Sequence, residues 1–176
     1  VKSSAMSAND ALDKLDRAIL RCLQQNGRET YDLIGEQVGL SPSAVLRRVK
    51  RLRESGLIAR EVALLDIDRV ATVVGHGLTA IVEITLDKQN SEAQDRFEER
   101  LRDEPAVQQC YRVSPGPDFV LVLFVTDMPA YLALTQRIFS TDANVRNVKT
   151  FFSTKRAKFD PSIPVEFRTS AFSRAG

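Results

Sequence analysis

The stretch LSPSAVLRRVKRLRESGLI, residues 40–58, contains the start signal, the stop signal and the two faces of one amphipathic helix. Ser41 is suited to accept a hydrogen bond from an early helical N–H, and Pro42 fits the first helical position, where no donor is needed. Gly56 is suited to end the helix in a left-handed turn. The pattern therefore predicts a helix that begins at Pro42 and ends near Gly56.

The two faces of this predicted helix differ in character. At 3.6 residues per turn, Val45, Leu46, Val49 and Leu52 fall on one apolar stripe, which is predicted to face a core. Five of the seven residues 47–53 are basic, and none of the five lies on that stripe. Such a helix can be held by protein on one side and lie against a polyanion on the other. The alternative is a solvated surface helix, since charged outer faces are common.

Two segments before the basic helix favour polyanion binding over a solvated surface helix. Apolar residues recur every three or four positions in residues 12–25, which predicts a first helix. Thr30 is suited to begin a short second helix, and Gly39 to make the tight turn into the basic one. Together these segments predict a helix-turn-helix, whose second element enters the major groove of DNA. Residues 57–62 are predicted to form a short strand, as in the winged variant.

The predicted partner of the basic helix is double-stranded DNA. Arg47 is expected to read a base, whereas Lys50 and Arg51 are expected to meet mainly phosphate. The residues predicted to contact DNA are Ser41, Ser43, Ala44, Arg47, Arg48, Lys50 and Arg51.

The composition agrees with a DNA-binding protein and argues against a disulfide-rich or membrane-spanning one. The 176 residues carry a net charge of +2, and the basic surplus lies in residues 1–62, with 11 Lys/Arg against 8 Asp/Glu. Cys22 and Cys110 lie far apart, so neither a disulfide framework nor a metal cluster is predicted, and a cytoplasmic location is expected. The longest apolar run, Phe119–Val125, is too short to span a bilayer. We therefore expect no cofactor and no membrane partner.

The second half of the chain has a different hydrophobic pattern. Polar and apolar residues alternate in residues 78–86, which predicts a strand with one apolar face. The remaining segments predict the order βαββαβ, typical of a ferredoxin-like domain with both helices on one face of an antiparallel sheet. The fold class is therefore α+β. The predicted segments are strands at 78–86, 107–113, 119–125 and 145–152, and helices at 91–104 and 128–140.

These elements predict a chain of two domains. The expected parts are a flexible arm at 1–11, a winged helix-turn-helix domain at 12–60, a linker at 61–76, a ferredoxin-like ligand-sensing and oligomerisation domain at 77–165, and a tail at 166–176.

The strand Phe119–Val125 carries information about assembly. It does not alternate, so both of its faces require burial, while helices in such a sheet cover only one face. A second copy packed sheet against sheet is the economical cover, and it would double the recognition helices. The alternative is that the chain's own tail, Phe159–Phe172, covers this face.

In these motifs the chain resembles the leucine-responsive/asparagine-synthetase-regulator (Lrp/AsnC, "feast-or-famine") family of prokaryotic transcription regulators. The resemblance runs from about Leu12 to Val165, with family-like segments at Leu12–Leu20, Leu23–Arg28 and Leu40–Ile58. It implies an N-terminal DNA-binding domain and a C-terminal amino-acid-sensing domain. It also implies a homodimer that assembles into tetramers or octamers, and a small-molecule effector, usually an amino acid, that shifts assembly or DNA affinity.

The effector site is only partly matched. The family usually has a valine, a small residue, Gly-Asp-x-Asp and an aromatic, whereas this chain has VSPGPDF at residues 113–119. The second acid and the aromatic are matched, the first acid is absent, and Pro-Gly also suits a purely structural turn. Asp118 would hold a ligand ammonium group, and Thr150 on the last strand a carboxylate; each could instead be structural. The effector residues implied are Ser114, Gly116, Asp118, Phe119 and Thr150.

An enzyme on the same architecture is the alternative function, because siroheme decarboxylases also resemble this family. Tetrapyrrole chemistry typically uses histidines, and this chain has a single one, His76, in the predicted linker. The sequence contains no Ser/His/Asp or Cys/His set, no glycine-rich phosphate loop and no metal-ligand spacing. We therefore expect a regulator and not an enzyme.

Overall fold

The computed structural model describes residues 12–75 and 77–166. They fall into two compact units, the first formed by residues 12–64 and 159–166, the second by residues 65–75 and 77–158. The predicted arm at 1–11, His76 and most of the predicted tail, 167–176, lie outside the described residues.

The first unit contains three helices: α1 (Lys14–Gln25), α2 (Tyr31–Val38) and α3 (Pro42–Glu54). The hydroxyl of Thr30 caps α2 by accepting the N–H of Leu33, and that of Ser41 caps α3 by accepting the N–H of Ala44. Gly39, with φ of 71°, makes the left-handed turn between α2 and α3. The predicted helix-turn-helix is confirmed.

The core of this unit differs from the prediction at one position. Ile19, Ile34, Val45 and Val49 have no exposed surface, but Leu46 is 49% exposed. The prediction that Leu46 faces the core was wrong because each residue turns the helix by about 100°, which places Leu46 on the flank beside Val45.

The segment after α3 does not form the predicted wing strand. Gly56 has a φ of 76°, as expected for a left-handed helix end. The N–H of Ile58 then bonds back to the carbonyl of Leu52 (3.1 Å), and residues 59–62 are exposed without a strand partner. The helix-turn-helix thus lacks a strand at 57–62. Within the predicted linker, Ile67–Val74 forms a helix, α4, capped by the carboxylate of Asp66.

The second unit has the predicted element order. Its four strands form an antiparallel sheet in the order β2-β3-β1-β4. Two helices connect the strands, and the second continues into a π-helical turn at Gln136–Ser140. The ferredoxin-like topology is confirmed. The elements are β1 (Leu78–Leu86), α5 (Ser91–Arg102), β2 (Val107–Arg112), β3 (Phe119–Val125), α6 (Met128–Thr135) and β4 (Val145–Phe152).

The sheet has one covered face and one open face. Along β3, residues alternate between buried and half-buried: Phe119, Leu121 and Leu123 have no exposed surface and pack into the main core with Phe97 of α5. We call the opposite surface the open sheet face; its apolar residues are Ile81, Tyr111, Val120, Val122, Phe124 and Phe151.

The described part of the C-terminal segment, residues 159–166, belongs to the first unit. The amide of Gln24 on α1 donates to the carbonyl of Ile163 (3.1 Å) and accepts its N–H (2.8 Å). Arg21, one turn earlier on α1, forms an ion pair with Glu166. The predicted sensing domain extended to residue 165, and within that range Ile163 contacts α1 of the helix-turn-helix unit.

Candidate nucleic-acid interface and effector loop

The outward face of α3 carries exposed polar groups. Ser43, Arg47 and Lys50 are exposed, and the Lys50 side chain keeps 72% of its surface in solvent with only a loose pair to Glu54 (3.8 Å). Within residues 12–75 and 77–166, Arg47 forms no ion pair, unlike the other four basic residues of α3. This face offers donors and positive charge to a groove or a phosphate backbone.

Two of the predicted DNA contacts point elsewhere. Arg48 Nη1 lies 2.7 Å from Asp13 Oδ2 and 2.8 Å from Asp16 Oδ1, so it is turned toward α1. Arg51 Nη2 lies 2.5 Å from Asp16 Oδ2, although 45% of the Arg51 side chain is still exposed. The guanidinium groups of Arg48 and Arg51 thus join α3 to α1.

The acidic end of α1 explains this arrangement. Asp13 and Asp16 form a reciprocal capping box, in which each carboxylate accepts the other's backbone N–H. The N–H of Asp16, followed by Arg48, lowers the pKa of Asp13, while hydrogen bonds to both carboxylates raise the pKa of Arg48. The Asp16 carboxylate has no exposed surface, and its two oxygens are paired with Arg48 and Arg51.

The pairing of Asp16 with Arg48 and Arg51 was not predicted from the sequence. The available signal was that Asp16 lies four residues after Leu12 and three before Ile19, on the apolar stripe of α1. A carboxylate on a buried stripe needs a cationic partner. Two other residues predicted to contact DNA remain: the Ser41 side chain caps α3, and Ala44 is half-buried.

The predicted effector residues lie in three different environments. Ser114 and Gly116 are exposed in the effector loop, residues 113–118, where Gly116 has a φ of 121°. Asp118 is buried, and its Oδ2 accepts the backbone N–H of Leu86 (2.7 Å) and the amide of Gln89 (3.1 Å). This carboxylate therefore fastens the loop to the end of β1.

Phe119 and Thr150 are turned into the chain's own interior. Phe119 has no exposed surface, and its ring centroid lies 4.8 Å from that of Phe97, so it is a core residue rather than an open contact surface. Thr150 is half-buried, with its hydroxyl 2.5 Å from that of Tyr131.

The structure does not bring Thr150 and Asp118 together within one chain. Asp118 directly precedes β3 and Thr150 lies on β4, and β1 lies between these two strands. Thr150 pairs with Val82, whereas Asp118 bonds Leu86, four positions farther along β1. At about 3.3 Å per residue this is a separation of roughly 13 Å along the strand.

Two searches bear on other classes of site. In the described ranges, no three His, Cys, Asp or Glu side chains are grouped so that they could hold a metal ion. In the same ranges, every helix is too short or too polar to cross a membrane.

Comparison with known proteins decides what this pair of domains is. Residues 12–53 match the AsnC-type helix-turn-helix domain, and residues 79–163 match the Lrp/AsnC ligand binding domain. The chain belongs to the Lrp/AsnC family. Its function is DNA-binding transcriptional regulation, with a second domain of the family's ligand-binding type.

Similar proteins agree with this family assignment. A Haemophilus influenzae protein described as an uncharacterized HTH-type transcriptional regulator is 36% identical over 152 residues, which is 86% of this chain and 88% of that protein. The DNA-binding transcriptional activator DecR of Escherichia coli K12 is 31% identical over 155 residues, covering 88% and 99%. The crystal structure of a Neisseria meningitidis transcriptional regulator complexed with L-methionine has a TM-score of 0.76 at 32% identity, covering 88% and 97%.

Proposed function

We propose that this Lrp/AsnC protein is a cytoplasmic homodimer that reads a symmetric DNA site through α3 and answers an amino acid or related metabolite. The single observation that carries the DNA-binding surface is the outward face of α3, where Ser43, Arg47 and Lys50 are exposed side by side. Arg47 is the strongest base reader because its guanidinium has no ion pair among the described residues and can meet a guanine edge in two hydrogen bonds.

The open sheet face supports the homodimer. Ile81, Phe151 and Tyr111 are 41%, 44% and 52% exposed, and the half-buried Val120 and Val122 lie among them. A contiguous apolar surface of this kind is the usual mark of an interface. In a two-fold dimer the same surface serves both copies, and two α3 helices can reach successive major grooves about 34 Å apart. Tetramers or octamers would require further contacts between such dimers.

The effector loop supports a ligand site that includes Ser114 and Gly116. Both are exposed, and the buried Asp118 fixes the base of the loop. The related Neisseria protein was solved with L-methionine, which favours an amino acid as the ligand class. We propose that the ligand sits between sensing domains, since Thr150 and Asp118 are too far apart in one chain to hold one small molecule. In such a site Asp118 would act by shaping the loop, and Thr150 would contribute from another copy.

We further propose that the protein is not an enzyme, as its relatives are transcriptional regulators. Adding siroheme tests the siroheme-decarboxylase alternative: an unchanged Soret region supports a regulator, and a bound, decarboxylated tetrapyrrole contradicts it.

Genomic immunoprecipitation tests the proposed function as a whole. Enrichment of a few promoter regions sharing one palindromic sequence is the expected result, and uniform recovery of DNA would contradict sequence-specific regulation. The recovered duplex then serves for binding measurements with each of the twenty amino acids. At least one should change DNA affinity or oligomer size, because a ligand shifts an equilibrium only through unequal affinity for two states.

A further inference from the structure

Two of the basic residues of α3 are paired with acidic residues of α1, which the sequence of α3 alone does not show. Arg48 and Arg51 share the buried carboxylate of Asp16, and Asp13 adds a second acid to Arg48. Two positive and two negative charges therefore cancel within one cluster, which we call the α1–α3 clamp: Asp13, Asp16, Arg48 and Arg51. Arg47 and Lys50 lie outside it.

Leaving the clamp is costly for either arginine. Asp16 has no exposed surface, so an arginine that turned to a phosphate would leave a buried carboxylate with half of its compensation. The two pairs are not alike. The Arg48 side chain is only 24% exposed and is held by two acids, whereas Arg51 is 45% exposed and held by one.

We propose that Asp16 is a positioning residue that sets the balance between specific and nonspecific DNA binding. It does so by keeping Arg48 and Arg51 on α1 and off the phosphate backbone. Sequence-independent affinity grows with each phosphate that a protein cation neutralises, whereas base contacts alone carry specificity. By withholding two of the five cations of α3, Asp16 lowers affinity for all DNA and leaves discrimination to the outward face.

The same clamp orients that face. It fastens α3 to α1 on one side of the helix axis, so the direction in which Arg47 points depends on where Arg48 and Arg51 are anchored. This inference rests on the proposed function, since it concerns how the same surface reads DNA.

The dependence of affinity on salt separates this role from a merely structural one. The slope of log Kd against log salt concentration changes by about 0.9 for each phosphate contact on duplex DNA. The full-length parent and its variants are measured by fluorescence anisotropy on a duplex that the parent enriched from a random pool, and on a scrambled duplex of equal composition. Lys50→Gln is the matched control, because it removes one charge from the same helix outside the clamp.

The arginine variants give the first result. We expect Lys50→Gln to flatten the slope by about 0.9, and Arg48→Gln and Arg51→Gln each to leave it within about 0.3 of the parent. Slopes flattened by the arginine variants as much as by Lys50→Gln would overturn the proposal, because the clamp arginines would then be phosphate contacts.

Asp16→Asn gives the second result. Freed arginines should steepen the slope by up to about 1.8 and lower the preference for the selected over the scrambled duplex at least tenfold. A folded Asp16→Asn protein, shown by a parental circular dichroism spectrum, with parental slope and preference would overturn the proposal. If this variant does not fold, the two arginine variants decide the question alone. A parent that binds no duplex contradicts the proposed function itself, a different failure from the ones above.

Discussion

Lysine substitutions at two neighbouring residues of β3 should have different effects, one on folding and the other on dimerisation. Leu121 lies in the core with no exposed surface, and Val122 lies half-buried on the open sheet face, between Ile81 of β1 and Gln109 of β2. Leu121→Lys should unfold the sensing domain. Val122→Lys should leave the monomer folded and abolish the dimer.

The magnitudes follow from burial. Removing a core leucine side chain costs about 2–5 kcal/mol, and an unpaired buried ammonium adds more, against a total stability of about 5–15 kcal/mol. Val122 is already half-buried in the monomer, so its remaining burial in a two-fold dimer is worth about 0.75–1.5 kcal/mol in each copy, hence about 1.5–3 kcal/mol per dimer. Losing it raises the dimer Kd by a factor of roughly 10 to 10² before the buried charges are counted.

Circular dichroism melts and sedimentation equilibrium on both variants measure these effects. Leu121→Lys should lose its cooperative transition. Val122→Lys should keep a folded spectrum, sediment as a monomer at micromolar concentration and bind the operator weakly, since paired half-sites are lost. A dimeric Val122→Lys, or a parent that is already a folded monomer, would refute the assignment of the open sheet face.

Three further predictions concern single sites. Gly116→Ala should abolish the response to effector while leaving effector-free DNA affinity at the parental value, as φ of 121° strains any other residue; anisotropy with and without the amino acid checks it. Asp118→Ala should lower the free energy of unfolding in urea by about 1–3 kcal/mol, because the Leu86 N–H loses its acceptor; a parental midpoint would contradict this. The pKa of Asp13 is lowered in the folded state, so the Asp13 carboxylate stabilises the fold fully above the unfolded pKa near 4, and this stabilisation is lost as the pH falls through the folded pKa. Asp13→Asn should therefore reduce the fall in melting temperature at acid pH, which thermal melts at a series of pH values measure.

The sequence predicted the regular elements well because their determinants are local. The bounds of β1, β3 and β4 agree with the alternation or apolar run in each segment, and the caps Thr30 and Ser41 start their helices as expected. These signals depend on residues two to four positions apart, which a sequence displays directly.

The sequence was least informative where contacts between distant segments determine the structure. The wing strand needed a pairing partner that the chain does not supply, so residues 59–62 are exposed. Arg48 and Arg51 were predicted as DNA contacts because the helical period shows which residues avoid the core. It does not show that Asp16, more than thirty positions earlier, binds both arginines, and their contact with DNA stays a prediction. The strand order separates Thr150 from Asp118, and a motif match alone does not reveal it.

We propose that this Lrp/AsnC chain reads DNA through the outward face of α3, with Arg47 at a base. The direct test compares the parent with Arg47→Ala on the selected and scrambled duplexes, and uses Arg60→Ala, an exposed arginine after α3, as the charge-matched control. Arg47→Ala should weaken binding to the selected duplex by about 1–3 kcal/mol and relax base preference at one position per half-site, while Arg60→Ala changes affinity little. An Arg47→Ala protein that binds the selected duplex as tightly and as selectively as the parent would contradict the account.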